Sequence, residues 1–171
     1  MNAATALGMV EALRFSGITV PQEAIREGLK DAKWPGRIEV ASERPLIILD
    51  GAHNRASARA LAETVGKRFR FKDLFLILGI SKDKDIPGIV EELEPIAKHI
   101  ISTKSDVSER AEDPEVVSAF LKGKKAVIRP SLREALAEAR AKASQDDAIL
   151  ITGSLFLVGD AKRILEGESK T

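Results

Sequence analysis

Leu46-Ile47-Ile48-Leu49-Asp50-Gly51-Ala52-His53-Asn54 decides how this chain is read. The short apolar run Leu46 to Leu49 reads as a strand, and from about 54 to 68 apolar residues recur with helical spacing. Outward from this unit the same alternation repeats. Apolar runs stand at Leu74 to Leu78, His99 to Ser102, Ala126 to Ile128 and Ala148 to Ile151, with helical patterns at 86–97, 113–122, 131–144 and 155–165. Strand and helix in alternation require crossover connections, hence a parallel sheet. The predicted fold is α/β: a Rossmann-like, mostly parallel sheet with helices on both faces. Ile38-Glu39-Val40 is expected to add a short edge strand.

The segment ahead of this pattern differs in kind. Ala3, Leu7, Val10 and Leu13 recur at three- and four-residue spacing until Phe15-Ser16-Gly17, and a second helix follows Val20-Pro21 with Ala24, Ile25 and Leu29 on its apolar face. Trp34-Pro35-Gly36 then stops helical structure. These breaks divide the chain into a helical segment, 1–36, and an α/β domain, 37–171.

Composition excludes several classes of function. In 171 residues, 27 Lys and Arg face 26 Asp and Glu, so no net field draws a polyanion or a lipid surface, and nucleic acid is not an expected partner. No apolar run has the length of a transmembrane helix, and residues 1–5 lack the character of a signal peptide, so no membrane partner and a cytoplasmic location are expected. Cysteine is absent, which removes disulfides, thiolate nucleophiles and Cys-ligated zinc together.

Ligands of open α/β sheets gather at the carboxyl ends of the strands. There the sequence places Asp50-Gly51-Ala52-His53-Asn54, then Gly79 with Ser81-Lys82-Asp83-Lys84-Asp85, then Thr103-Lys104-Ser105-Asp106, and Thr152-Gly153-Ser154. The first of these packs a carboxylate, an imidazole and an amide beside two small residues that leave room for a ligand. Asp50 or Asn54 also suits a plain helix N-cap, as does Ser154. Arg37, after a rigid turn, carries a guanidinium that can fork onto phosphate oxygens. Lys82 is the best candidate within its mixed charge run, and His99, heading an apolar strand, reads as structural. Arg110 follows a strand in surroundings that give it no assigned role.

Asn2-Ala3-Ala4-Thr5-Ala6-Leu7, Trp34-Pro35-Gly36-Arg37, Asp50-Gly51-Ala52-His53-Asn54, Gly79 with Asp83-Lys84-Asp85, and Thr152 to Gly159 resemble, in order, the motifs of folylpolyglutamate and dihydrofolate synthases, within the Mur ligase family. The resemblance implies the carboxyl-terminal domain of an ATP-dependent amide ligase, preceded by the last helices of a central ATPase domain. In that family ATP phosphorylates a folate or pteroate carboxylate, magnesium assists, and the amino group of L-glutamate displaces phosphate from the acyl phosphate. Carried over by motif, Asn2, Arg37 and Asp50 contact ATP, with Arg37 toward the phosphates and Asp50 toward the ribose. His53 sits beside the nucleotide or the incoming amino acid and Ser154 helps hold the glutamate; apart from the motifs, Lys82 is the best candidate in its charge run to face substrate glutamates. Arg37 and His53 are the expected catalytic residues.

The family's phosphate loop, Gly-x-x-x-x-Gly-Lys-Ser/Thr, is missing: Gly66-Lys67 runs into Arg68 and Gly123-Lys124 into Lys125. The chain is therefore expected to be a segment of a longer synthase, or a subunit completed by a phosphate-loop partner, and to be inactive alone. Metal ligands are expected in that other part. Alternatives are a non-catalytic nucleotide- or folate-binding module and the carboxyl-terminal domain of another Mur-type amino-acid ligase.

Overall fold

The computed structural model describes residues 2–168 and divides into two compact units, one up to Pro35 and one from Gly36 onward. The first unit holds α1 (Asn2–Ala12), a 3₁₀ turn over Leu13–Ser16 and α2 (Gln22–Asp31). Gly17, at φ 76°, ends the 3₁₀ turn in the left-handed conformation that glycine adopts without a Cβ penalty. Neither the 3₁₀ turn nor α2 buries a residue, and Phe15 and Trp34 are 96% and 76% exposed.

The second unit runs β1 (Glu39–Glu43), β2 (Leu46–Asp50), α3 (Arg55–Arg68), β3 (Leu74–Leu78), α4 (Ile86–Leu93), β4 (His99–Ser102), α5 (Pro114–Ser118), β5 (Ala126–Ile128), α6 (Leu132–Lys142), β6 (Ala148–Thr152) and α7 (Leu155–Glu168). The sheet order is β1-β2-β6-β3-β4-β5. All neighbours are parallel except β1, which pairs antiparallel with β2 as the expected edge strand, one residue later in start and longer than the sequence suggested.

Strand residues alternate between two cores, as the two-residue period of a strand requires. Ile48, Leu76, Ile100 and Leu150 face α3, α4 and α5, whereas Ile47, Ile77, Ile101 and Ile151 face α6 and α7. Every one is buried, and each large aliphatic contributes roughly 1.5–3 kcal/mol of transfer free energy. Three of the helices start at side-chain caps: Asn54 for α3, Asp85 for α4 and Ser131 for α6. Two helical patterns were expected to run longer. The one from 86 ends at Leu93 and tightens to a 3₁₀ turn at Glu94–Ile96, where Pro95 cannot donate its nitrogen, and α5 stops at Ser118. No helix among the described residues is long and apolar enough to cross a membrane.

On the first face α3 and α4 are tied by charge. Glu92 accepts from Arg55 Nε at 3.0 Å and from Arg59 Nη2 at 2.8 Å, and Arg55 Nη2 also reaches Glu91 at 2.9 Å. The two guanidinium hydrogen bonds hold the Glu92 carboxyl down at about 2, from an ordinary 4.5. A carboxyl depressed on folding stabilises the fold above its unfolded pKa, and that contribution is lost as pH falls through the folded value. Thermal unfolding between pH 5 and pH 2 should therefore show a shallower acid loss in Glu92→Gln than in the parent; identical slopes would refute the coupling.

Candidate active site at the carboxyl edge

Because β6 lies between β2 and β3, the loops after Asp50, Leu78 and Thr152 converge. The helices that follow them leave on opposite faces, α3 and α4 on one and α7 on the other, which opens a crevice between them. Close approach of these loops depends on two glycines. Gly153 sits at φ +105°, and a Cβ there would come within 2.6 Å of the Gly79 carbonyl oxygen; a Cβ on Gly79 would meet the Thr103 oxygen at 2.8 Å.

The turn after β2 is built by side-chain acceptors. Asn54 is the N-cap of α3, its Oδ1 accepting from Ser57 N at 2.8 Å while Ser57 Oγ accepts from the amide of Asn54, a reciprocal capping box worth about 1 kcal/mol. That leaves Asp50 to a different task. Its Oδ1 accepts from Ala52 N at 2.8 Å and its Oδ2 from Ile38 N at 2.9 Å. Burial pushes the Asp50 carboxyl above its ordinary range, against the two amides and the charge of Arg37, which favour the anion.

Ile38 has φ 47°, the left-handed region, which is strained for a β-branched residue by about 1–3 kcal/mol. Asp50 helps hold it there, next to Arg37. The Arg37 side chain is exposed and makes no hydrogen bond or ion pair among the described residues. With Ile38, Asp50, Ser57 and Arg68 it lines a cleft of about 340 Å³ along α3.

A second, smaller cleft of about 150 Å³ is lined by His53, Ser81, Lys84, Arg110, Ser154, Leu155 and Phe156. His53 Nδ1 lies 2.7 Å from Gly51 O, so this nitrogen carries a proton and Nε2 is left as an acceptor in the neutral ring. Ser154 Oγ accepts from Phe156 N at 3.2 Å, capping α7 and leaving the hydroxyl hydrogen available to an acceptor. The start of a fourteen-residue helix adds its own partial positive charge.

Of the residues singled out from sequence, Arg37 and Asp50 meet in one cleft and His53 and Ser154 in the other. The Asn2 side chain lies outside the described residues. Lys82 is exposed and lines neither cleft; its neighbour Lys84 does. Arg110, left without a role, joins the second cleft because its loop returns along residues 80–82: Ser81 bridges Ala111, and Lys82 N donates to Arg110 O at 2.8 Å. Asp83 pairs with both Lys84 and Arg110, so the charge run is partly self-neutralised, and Asp85 is the α4 cap. His99 stacks on Phe75 with ring centroids 4.4 Å apart, the structural role expected for it. No cluster of three or more His, Asp or Glu among the described residues could hold a metal ion.

A six-stranded, largely parallel sheet thus presents two clefts, one with Arg37 and one with His53, Ser154 and Arg110, where open α/β sheets gather ligands. Residues 36–155 match the family described as Mur ligase, glutamate ligase domain, and the chain belongs to that family. It is 38% identical over 164 residues to a probable bifunctional folylpolyglutamate synthase/dihydropteroate synthase of Haloferax volcanii, covering 94% of this chain and 19% of the relative. Against the dihydrofolate synthase/folylpolyglutamate synthase of Bacillus subtilis it is 31% identical, covering 96% of this chain and 38% of that protein. Among solved structures, E. coli FolC in complex with DHPP and ADP superposes with a TM-score of 0.88 at 30% identity, over 98% of this chain and 39% of that one. A bifunctional folylpolyglutamate synthase/dihydrofolate synthase with Mn, AMPPNP and L-glutamate bound gives 0.85 at 31% identity, over 96% of this chain and 39% of that one. The chain thus spans well under half the length of these relatives.

Proposed function

We propose that this chain is the glutamate-ligase part of a folylpolyglutamate/dihydrofolate synthase, acting with a phosphate-loop domain in cis or as a separate subunit. Residues 1–36 would then belong to the central ATPase domain and 37–171 to the carboxyl-terminal domain. The observation that carries the reading is the pair of clefts joined by the Asp50–Ser57 turn, one presenting Arg37 and the other His53, Ser154 and Arg110. ATP supplies the phosphoryl group that converts a folate or pteroate carboxylate into an acyl phosphate; magnesium serves that transfer from outside this chain.

In this reading Arg37 extends toward the phosphates, where a guanidinium stabilises charge spread over the transferred oxygens. Asp50 acts first on the backbone, holding the turn that carries Arg37, and its carboxylate lies within the same cleft for a ribose hydroxyl. In the second cleft Ser154, Arg110 and the start of α7 suit a carboxylate of L-glutamate. In the same reading His53 Nε2 accepts a hydrogen from the glutamate amino group as it attacks the acyl carbon and phosphate departs. Lys84 and Arg110 replace Lys82 as the cations facing substrate.

The test joins this chain to an amino-terminal half bearing the phosphate loop and follows MgATP-dependent addition of labelled glutamate to dihydropteroate or a reduced folate. Product and ADP should form in equal amounts, and only when both halves are present. ATP binding without any amide product would instead favour the non-catalytic module.

A further inference from the structure

Arg37 is exposed, yet the backbone on either side of it is pinned on both flanks. Gly36, at φ 72°, donates its amide to Glu39 Oε2 at 2.7 Å, and its carbonyl accepts from Gly51 N at 2.8 Å. Ile38, at φ 47°, donates to Asp50. A turn with left-handed residues on both sides of one side chain does not persist unaided; its surroundings must over-determine it.

One of those surroundings is α7. Ser154, Val158 and Lys162 are spaced by four along one helical face. Ser154 opens onto the second cleft, Val158 Cγ1 would lie 3.1 Å from a Cβ at Gly36, and Lys162 Nζ donates to Glu39 Oε1 at 2.7 Å. The Glu39 carboxylate therefore bridges, one oxygen to the turn and the other to the helix. Both side chains are less than one-third exposed, at 29% for Glu39 and 28% for Lys162, which distinguishes this pair from an ordinary surface ion pair. Partial burial raises the Glu39 carboxyl, but Lys162 and the Gly36 amide outweigh it and hold it below its ordinary value.

We propose that Glu39 and Lys162 are positioning residues, which lock the Gly36–Ile38 turn to α7 so that one helix sets both Arg37 and the Ser154 end of the second cleft. The consequence for catalysis rests on the ligase reading above; the consequence for the backbone does not.

The backbone arm uses the 171-residue chain. Amide exchange followed by NMR should accelerate about tenfold or more at Gly36 in Glu39→Ala and Lys162→Met, with Leu76 and Leu150 in the central strands unchanged, and Lys162→Arg should restore protection. Unchanged exchange at Gly36 in both disrupting variants overturns the proposal. Should Glu39→Ala lose the central protection as well, Lys162→Met, which keeps the carboxylate, gives the decision alone.

The catalytic arm uses the chain joined to its phosphate-loop half. Glu39→Ala and Lys162→Met should lower kcat about ten- to a hundredfold with KM for glutamate within about twofold, and neither should add to the loss already caused by Arg37→Ala. Full additivity on the Arg37→Ala background overturns the positioning role. If Arg37→Ala itself leaves turnover intact, the ligase assignment of Arg37 fails while the exchange result still decides the backbone claim.

Discussion

Arg37→Ala, in the chain joined to its phosphate-loop half, is expected to reduce MgATP-dependent glutamate addition by about 10³-fold, the scale on which a single guanidinium stabilises a phosphoryl-transfer transition state. The fold should not notice. Arg37 is exposed and pairs with nothing among the described residues, so unfolding in urea should shift by no more than about 0.5 kcal/mol. Arg37→Lys separates charge from geometry. A lysine keeps the point charge but not the planar fork, and should recover only about tenfold of the loss. Turnover within about threefold of the parent in Arg37→Ala would remove this residue from the site and with it the phosphate-facing role of the first cleft.

The second large effect concerns stability. Gly153→Ala should destabilise the domain by about 3 kcal/mol or more, read as a fall in the urea midpoint at constant slope. Two costs combine at one position: φ +105° is strained for any residue with a side chain, and the new Cβ would lie 2.6 Å from a backbone oxygen of Gly79, which has no rotamer by which to withdraw. Relief requires separating the ends of β3 and β6, whose last paired residues are Leu78 and Thr152. Ser154 would move with them, so any remaining ligase should bind glutamate more weakly. Gly159→Ala is the control. It lies in α7 with open space where a Cβ would go, and should be neutral or stabilising by about 0.5–1 kcal/mol. Equal effects from the two substitutions would show that the loss at Gly153 is not about close approach.

How much of this was readable without coordinates follows from the range of the forces involved. The core strands stand out as apolar runs because burial on both faces leaves no polar residue to interrupt them. The carboxyl-edge loops follow from that alternation, which made Asp50, His53 and Ser154 candidates, whereas Arg37 was singled out by the rigid Trp34-Pro35-Gly36 turn before it. What sequence spacing cannot carry is a contact made across the fold. Asp50 and Asn54 are both good caps, and only the Ile38 amide, arriving from another turn, separates their roles. Arg110 follows a strand, which hints at the site edge, but it enters the second cleft through a bridge between Ser81 and Ala111, thirty residues apart, that no local pattern fixes. Lys82 and Lys84 differ by two positions in a turn whose path no periodicity fixes. The left-handed Ile38 is the extreme case, since residue preference argues against it and only its neighbours impose it.

The place of β6 has a further meaning for how the sheet comes together. β2 and β3 do not pair with each other; each pairs with β6, which follows them in the chain. Without β6, a β1–β2 hairpin and a three-stranded β3–β4–β5 ribbon share no strand pairing and meet where α3 packs on α4, each with an open row of backbone amides and carbonyls. Residues 148–152 pair with both rows and bring the loops after β2 and β3 to the same edge. His53 on the β2 side and Ser81 on the β3 side thus owe their common cleft to a single five-residue strand that pairs with both.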